Sequence, residues 1–394
     1  MSTVIRKAGR SLLDLLTGPH GSDRYLELLH PRFASDRHVA EVLDVRRETA
    51  DVVTLTMDPP AGWESGALTR PRPGQAITLT VEVHGVRHRR AFSVASLTAA
   101  SWTVTIKANA TGIVSQHLVA HARPGLLVEV GAPFGELTLP SDRELVGGLL
   151  LISGGSGITP VMAELRQLRA EGRLAPVGSP LAASPSVLPR IAFLHYATDI
   201  ANTIFLDELV AFAHGYENLD LIIVHTDGAD GLSHPLNRGL TGFFDASHIA
   251  SLDIDPATAM IHLCGPGPLA ASVSAWIEDA FGPTGGVTDR LRIETFYPPV
   301  ALIDGDALGG TISLTTAGTS LLSDGRSILE QVEDAGLRPE HGCRMGICHT
   351  CTRHVTSGSV RNLIDGTVET ATGTSPVEAR ICVSAAHGDC AVDL

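Results

Sequence analysis

Long apolar runs and positive charge are both scarce in this 394-residue sequence. No apolar run reaches the about 18 residues of a membrane-spanning helix, and the longest candidate, Leu145–Ile152, is interrupted by Gly147 and Gly148. Only two lysines occur, Lys7 and Lys107, and the formal net charge is −14. A spanning helix is therefore not predicted, and so acidic a chain is not expected to bind nucleic acid.

The sequence also lacks the marks of an exported protein. Its N-terminus has no apolar core followed by a small-residue cleavage site. Cysteine is uncommon, and four of the six cysteines follow one spaced pattern near the C-terminus, which favours a reducing compartment over a disulfide framework. We therefore expect a cytoplasmic protein, and the chain is long enough for two or three domains.

The C-terminal cysteines lie in EHGCRMGICHTC and, after a gap of 30 residues, in ARICVS. They are Cys343, Cys348, Cys351 and Cys382. The spacing C-x4-C-x2-C with a distant fourth cysteine is typical of plant-type [2Fe–2S] ligands. Structural zinc is the alternative, but zinc favours paired C-x2-C elements, and Cys390 is too far from Cys382 to complete one. Cys390 is expected to be an ordinary small thiol.

Such a loop must bend closely around its cluster, and Gly342 and Gly346 allow this. We expect Gly346 and Ile347 to be exposed and to face a redox partner. The electron-transfer subunits of dihydroorotate dehydrogenases resemble this arrangement, but their final gap is short. The long gap here indicates a full ferredoxin domain over residues 310–394.

Hydrophobic periodicity divides the rest of the chain. Residues 38–143 alternate apolar and polar side chains, as in Ile77–Val83 and Trp102–Lys107, which predicts antiparallel strands in a small barrel. Residues 144–297 alternate apolar strands with helices, which predicts a parallel α/β domain. The predicted strands are Leu149–Ser153, Ile191–His195, Leu221–Val224 and Met260–Leu263, and the predicted helices are Pro160–Leu168 and Ile204–Phe212.

The ends of the chain carry two further segments. A linker at 298–309 precedes the last domain, where Thr311–Thr315 alternates like a strand. There Ser327 and Glu330 are spaced as a capping box for a helix that Gly336 can close. Residues 1–37 form a partly amphipathic, basic segment, interpreted either as a helix packed on the first domain or as a peripheral membrane contact.

A glycine-rich turn follows the first α/β strand and opens a helix. Its predicted nucleotide-binding residues are Gly154, Gly155, Gly157, Thr159 and Pro160. The glycines allow a pyrophosphate to approach backbone N–H groups at the positive end of the helix. The Thr-Pro ending, together with Cys264, Gly265 and Pro266 after the fourth strand, resembles the ferredoxin–NADP reductase superfamily.

Two flavin motifs extend this resemblance. Arg90, Ala91, Phe92 and Ser93 resemble the family's R-x-Y-S motif with Phe in place of Tyr, and Gly112, Ile113, Val114 and Ser115, preceded by Lys107, resemble its second phosphate-binding turn. The resemblance implies that Arg90 pairs with flavin phosphate, Phe92 stacks on the isoalloxazine and Ser93 lies near flavin N5. The second turn suits a dinucleotide, which favours FAD over FMN.

The family's nicotinamide site supplies the remaining predictions. By resemblance, Cys264 lies beside the nicotinamide, and Glu294 and Phe296 close the module near the flavin. We therefore assign Ser93, Cys264 and Glu294 to catalysis. Thr198 follows the second α/β strand as a nucleotide contact, and no arginine for a 2′-phosphate is close to it. Asp199 could instead favour the ribose hydroxyls of NADH, so the sequence does not decide between NADH and NADPH as the electron donor.

The order of flavin barrel, nucleotide domain and β-grasp ferredoxin resembles phthalate dioxygenase reductase-like and phenylacetyl-CoA epoxygenase reductase-like proteins. The loop HGCRMGICHTC and the segment Arg72–Gln75 suggest bacterial reductases of membrane fatty-acyl desaturases. The resemblance implies an NAD(P)H-dependent oxidoreductase passing electrons through FAD and a [2Fe–2S] cluster to a di-iron desaturase. The alternatives are a reductase of a soluble aromatic-ring or CoA-thioester oxygenase, and a non-catalytic redox-sensing or electron-transfer subunit.

Overall fold

The structure is a computed structural model that describes most of the chain beyond the N-terminal segment. The described residues are 37–110, 112–179, 188–227, 234–282, 286–296, 310–342, 344, 346, 349–364, 366–372 and 374–394. The predictions for the N-terminal segment and for Cys343, Ile347 and Cys348 lie outside them. None of the described helices combines the length and apolarity that crossing a bilayer requires.

The chain divides into two compact units. The first runs to Arg72 and resumes at Ala76–Pro133, and the second contains Pro73–Gln75 and Phe134–Leu394. The domain boundaries given above, at 38, 144, 298 and 310, stay predictions.

The first unit is built on a closed antiparallel barrel with strand order β1-β2-β5-β4-β3-β6. Its strands are β1 Val39–Thr49, β2 Val52–Met57, β3 Ala76–Val83, β4 Val86–Leu97, β5 Trp102–Lys107 and β6 Leu127–Phe134. Alternate side chains of these strands, including Ile77, Leu79 and Val104, fill its core. Two helices accompany it, α1 (Ala61–Ser65) and α2 (Ile113–His121). The period-2 prediction for this region is confirmed.

A five-stranded parallel sheet with order β11-β10-β7-β8-β9 lies in the second unit. Its strands are β7 Leu149–Gly154, β8 Ile191–Ala197, β9 Leu219–His225, β10 Met260–Gly265 and β11 Leu291–Thr295. Its helices are α3 (Ile158–Ala170), α4 (Leu206–Gly215), α5 (Ala246–Ala250) and α6 (Gly267–Phe281). All four predicted strands are present, whereas β11, α5 and α6 were not predicted. As in other parallel sheets, the carboxyl ends of the strands meet at one edge, where ligands bind.

The C-terminal region forms a mixed sheet with order β13-β12-β17-β14-β15, and β16 pairs with β14. Its elements are β12 Thr311–Leu314, β13 Thr319–Leu322, α7 Ile328–Asp334, β14 Thr352–Asn362, β15 Val368–Ala371, β16 Val377–Arg380 and β17 Ser384–Val392. Ser327 caps α7 by accepting from the Glu330 N–H at 3.3 Å, and Gly336 takes a left-handed φ of +87° after the helix. The predicted fold class of barrel, parallel α/β domain and ferredoxin domain is confirmed.

Candidate functional site

Two of the four predicted cluster ligands lie in the described part of the chain, and they meet. Cys351 precedes β14 and Cys382 lies between β16 and β17, so neighbouring strands bring together residues that are 31 positions apart. Their Sγ atoms are 3.1 Å apart and both side chains are buried. Two converging sulfurs fit a pair of thiolate ligands at one metal centre. Cys390 lies instead in the apolar core of the same sheet, as predicted for an ordinary thiol.

Two arginines fix the loop that precedes Cys351. Arg344 donates to both carboxylate oxygens of Glu333 on α7, at 2.8 and 2.6 Å, and Arg380 donates to the Gly346 carbonyl at 2.6 Å. The prediction that Gly346 is exposed is wrong. Its left-handed φ of +75° turns it inward, where an added Cβ would lie 2.7 Å from a methyl group of Val383. Arg344 and Gly346 are therefore each held by contacts with residues outside this segment.

The predicted flavin residues Arg90, Ala91, Phe92 and Ser93 lie on β4, opposite Ala76–Leu79 of β3. Ser93 is 3% exposed, and its hydroxyl has no hydrogen-bond partner among the described residues. A buried hydroxyl without a partner is costly, so this atom fits a group that hydrogen-bonds a bound ligand. Phe92 packs at the edge of the barrel core, and Arg90 Nη1 donates to the Arg89 carbonyl.

The predicted second turn, Gly112 to Ser115, forms the start of α2. Gly112 is its N-cap, Ile113 is half exposed, and Val114 is buried in the barrel core. Ser115 Oγ accepts from the Asn109 N–H at 3.0 Å. A Cβ on Gly112 would overlap this Ser115 hydroxyl, so a larger residue there would require the Ser115 side chain to move. Lys107 ends β5 with its ammonium 3.6 Å from Asp51, so in the described residues it pairs with a carboxylate.

The nucleotide turn is packed tightly against the loop after β10. Gly154 ends β7, Gly155–Gly157 form a single 3₁₀ turn, and α3 begins at Ile158. Thr159 and Pro160 lie buried in the first turn of α3, where Thr159 Oγ1 donates to the Ser156 carbonyl at 3.0 Å.

In the contact between the nucleotide turn and β10, backbone atoms pack directly against backbone atoms. A Cβ on Gly157 would overlap the Cys264 carbonyl and lie 2.8 Å from Gly265 Cα. A Cβ on Gly154 would lie 3.0 Å from the ring of Pro266, the N-cap of α6. The predicted glycines therefore bring the two loops within contact distance, at the edge where ligands of parallel sheets bind.

Cys264 and Glu294 face each other across β10 and β11, where their Cα atoms are in register. Cys264 is fully buried, and burial raises the pKa of its thiol well above the ordinary value. Glu294 is 7% exposed, and neither carboxylate oxygen has a hydrogen-bond partner among the described residues. Burial first, and the nearby carboxylate of Glu164 second, raise the pKa of Glu294 to about 7. Phe296 follows directly after β11.

A buried polar pair that the sequence did not predict lies near these residues. His262 Nδ1 lies 2.9 Å from each carboxylate oxygen of Glu164, and the two side chains are 1% and 0% exposed. Two features of the sequence could have indicated this pair. One is a histidine inside the apolar strand MIHLCG, and the other is a glutamate between apolar residues of α3. Ser153 and His195 form a second buried contact, at 2.8 Å, and burial lowers the pKa of His195 to about 3.

The residues after β8 place acidic groups at the same sheet edge. Thr198 is exposed, and Asp199 accepts from the Asn202 side chain at 2.8 and 3.0 Å. Hydrogen bonds from Asn202 lower the pKa of Asp199, so it is ionised at neutral pH. The Asp227 N–H, just beyond β9, donates to the Thr198 carbonyl at 2.9 Å, which brings a second aspartate to this edge.

The buried carboxyl of Glu294 leads to a prediction about stability. Its folded pKa of about 7 lies above the ordinary value of 4.5, so the folded state binds this proton more tightly than the unfolded chain. The stabilisation is complete below about pH 4.5 and is lost as pH rises through 7, a loss of about 3 kcal/mol. Urea unfolding of wild type and Glu294→Gln should therefore show the wild type losing stability relative to the variant from pH 5 to pH 8, while groups common to both, such as His195, cancel in the difference. Equal slopes would contradict it.

Comparison with known proteins agrees with this arrangement. Residues 316–387 match the family described as 2Fe-2S iron-sulfur cluster binding domain. The chain is 32% identical over 392 residues to an NADPH oxidoreductase of Mycobacterium tuberculosis, covering 98% of this chain and 92% of that one. It is 29% identical to the ferredoxin reductase component of 3-ketosteroid-9-alpha-monooxygenase from Mycolicibacterium smegmatis, over 84% and 90%. The fold matches phthalate dioxygenase reductase with a TM-score of 0.55 at 23% identity, over 90% and 97%.

Barrel, parallel sheet and cysteine site together define a modular electron-transfer flavoprotein. The chain belongs to the ferredoxin–NADP reductase-like oxidoreductases that carry a fused C-terminal [2Fe–2S] ferredoxin domain. It is an electron-transfer oxidoreductase, and its cofactors are FAD, a [2Fe–2S] cluster and NAD(P)H.

Proposed function

We propose that this protein takes electrons from NAD(P)H at the turn Gly154–Thr159 and delivers them through Cys351 and Cys382 to a membrane di-iron fatty-acyl desaturase. The observation that carries the electron path is the convergence of the two cysteine sulfurs, 3.1 Å apart, in a chain whose nucleotide turn is packed on Cys264. When bound, FAD accepts a hydride and the cluster accepts single electrons, so the pair converts a two-electron donor into a one-electron supply.

The flavin contacts follow from the β4 and α2 residues. The guanidinium of Arg90 supplies a fork of donors for phosphate, and the ring of Phe92 supplies a stacking face. The buried Ser93 hydroxyl, which has no partner among the described residues, supplies a hydrogen bond to the flavin ring. The first turn of α2, which follows Gly112, presents backbone N–H groups to a pyrophosphate, which favours FAD.

The nucleotide contacts follow from α3 and β10. The N-terminus of α3 presents backbone N–H groups to the nucleotide phosphates, with Thr159 in its first turn. The neutral Cys264 thiol, followed by Gly265 and Pro266, places no charge against the nicotinamide. Glu294, in register with Cys264, is the ionisable group that we place beside the nicotinamide.

Anaerobic titration tests the path and the order of its carriers. The purified protein is titrated with NADH and, separately, with NADPH, while flavin bleaching and cluster reduction are followed by absorbance. Flavin bleaching should come first and cluster reduction second. Cluster reduction without flavin, or no reduction by either nucleotide, would reject the proposal.

The partner needs its own experiment. The desaturase proposal rests on the resemblance of HGCRMGICHTC and Arg72–Gln75 to desaturase reductases. A soluble oxygenase is favoured by relatives named as reductases of 3-ketosteroid and glycine betaine monooxygenases. Desaturase-containing membranes and a soluble oxygenase should be compared as acceptors, with full-length protein and with protein lacking residues 1–37. Turnover with membranes that depends on residues 1–37 supports the desaturase, and turnover with the soluble oxygenase alone rejects it.

We expect NADH to be used at least about tenfold more efficiently than NADPH. Asp199 is ionised and Asp227 lies at the same edge, so a 2′-phosphate would meet like charge, at a cost of about 1–2 kcal/mol. The 32%-identical relative is named for NADPH, so both nucleotides must be measured directly. Asp199→Asn should raise kcat/KM for NADPH severalfold, whereas Asp207→Asn, in the first turn of α4, should leave it unchanged. A wild-type preference for NADPH would contradict this expectation.

A further inference from the structure

Behind the contact between Cys264 and Glu294 lies a buried pair that no established step of the reaction requires. Glu164 comes from α3 and His262 from β10, two residues before Cys264. His262 Nδ1 is 2.9 Å from both Glu164 oxygens, and the pair is sealed from water. Glu164 also acts electrostatically on both Cys264 and Glu294.

We propose that Glu164 and His262 are positioning residues for hydride transfer, because their buried pair helps to hold a proton on Glu294 when the nucleotide binds. This inference rests on the proposed function, which places the nicotinamide beside Cys264 and Glu294. Glu164 and His262 touch neither cofactor in the proposal and act only through Glu294.

Two buried carboxyl groups, those of Glu164 and Glu294, interact electrostatically. Two neighbouring carboxylates are not both ionised at low cost in a dry environment, so one of them holds a proton. Glu164 has a hydrogen-bond donor in His262, whereas neither oxygen of Glu294 has one among the described residues. Glu164 is therefore the better partnered of the two carboxyl groups, and Glu294 gains more from holding a proton. Burial and the Glu164 charge act in that direction on the pKa of Glu294.

The other charged groups near Glu294 do not take over the effect of Glu164 on the proton affinity of Glu294. On its own strand, Arg292 donates through Nη1 to the Asp289 and Leu291 carbonyls, towards the amino end of β11. Cys264, opposite on β10, is a neutral thiol. Glu144 acts electrostatically on Arg292 and His262 but lies exposed at the surface.

The proton on Glu294 matters because of the charge that develops in the reaction. The C4–H bond of the nicotinamide breaks with its electron pair, hydride bonds to the flavin, and the nicotinamide is left positive. An ionised Glu294 stabilises that charge, whereas a protonated Glu294 does not. The rate of flavin reduction should therefore rise with pH as Glu294 ionises, and removing the Glu164 charge should move this rise to lower pH.

The test measures the Glu294 proton directly and then the rate. The carboxyl of Glu294 is titrated by infrared spectroscopy on ¹³C-glutamate-labelled protein, with the Glu294→Gln spectrum subtracted. Glu164→Gln should lower the midpoint by at least about one pH unit, a tenfold loss of proton affinity. Stopped-flow flavin reduction at pH 6 should then be about fivefold faster in Glu164→Gln than in wild type. The nucleotide Kd should stay unchanged.

Two further variants complete the design. Glu144→Gln removes an exposed carboxylate that acts on the same pair, and it should leave the midpoint in place. His262→Gln keeps an N–H donor to Glu164, so the midpoint of Glu294 should stay at or above the wild-type value. The proposal is overturned if the titration midpoint of Glu294 in Glu164→Gln equals that of wild type. It is also overturned if the midpoint in His262→Gln lies below that of wild type. The His262→Gln measurement can be made even if Glu164→Gln does not fold. If neither nucleotide reduces wild-type flavin, the proposed function fails, and the carboxyl titration still reports on the pair.

Discussion

Cys382→Ser should reduce NAD(P)H-dependent cytochrome c reduction at least about 100-fold while ferricyanide reduction stays within about twofold of wild type. Cys382 brings its sulfur to 3.1 Å from Cys351, so serine removes one of two sulfurs that converge on the site. The barrel and the nucleotide site lie elsewhere in the chain and keep their structure, so ferricyanide, which can take electrons from flavin, is still reduced. Paired assays with the two acceptors, together with iron content and electron paramagnetic resonance, provide the measurement.

The matched control for this variant is Cys390→Ser. Cys390 is also a buried cysteine of the C-terminal sheet, but it lies on β17 opposite Ile312 of β12, within the apolar core. Its replacement should cost stability and leave the iron content and cytochrome c reduction intact. Cytochrome c reduction above about a tenth of wild type in Cys382→Ser would show that electrons leave the protein without passing the cluster.

Local patterns in the sequence were enough to predict most of the architecture. The period-2 segments Ile77–Val83 and Trp102–Lys107 became β3 and β5, and four continuous apolar runs became β7 to β10. The capping residue Ser327 and the terminating Gly336 acted as their local chemistry predicts. β11 was missed because it is an edge strand of five residues, mostly half-exposed, and its pairing with β10 is a long-range property.

The buried polar residues were missed for a related reason. A glutamate in a helix is ordinarily expected on the solvent face, and Glu164 is buried only because His262, 98 residues later, supplies its partner. Likewise, Gly346 was expected at the surface because the cysteine spacing says nothing of Val383, against which it packs. Motif spacing therefore predicted which residues carry the chemistry, but the groups that surround them depend on tertiary contacts.

Gly157→Ala should remove nucleotide-dependent reduction almost completely, by about 100-fold or more, and lower the free energy of unfolding by about 3 kcal/mol. The backbone of Gly157 has a φ of −63° and a ψ of −8°, which alanine adopts readily, so the effect does not come from backbone freedom. It comes from the added methyl group, which would overlap the carbonyl of Cys264 and crowd Gly265. The turn and the loop after β10 must then separate at the proposed nicotinamide site.

A glycine two residues earlier provides the control that isolates this cause. Gly155 has a left-handed φ of +54° and open space where a Cβ would stand, so Gly155→Ala should cost only about 1 kcal/mol, from backbone strain. Urea unfolding, FAD content and stopped-flow flavin reduction by NADH should be measured for both variants. Gly157, unlike Gly155, packs against the backbone of β10. A loss of stability no larger in Gly157→Ala than in Gly155→Ala would therefore mean that the close contact with Cys264 does not hold the nucleotide site together. A selective loss in Gly157→Ala, with FAD retained, would place the defect at the nucleotide turn rather than in the barrel.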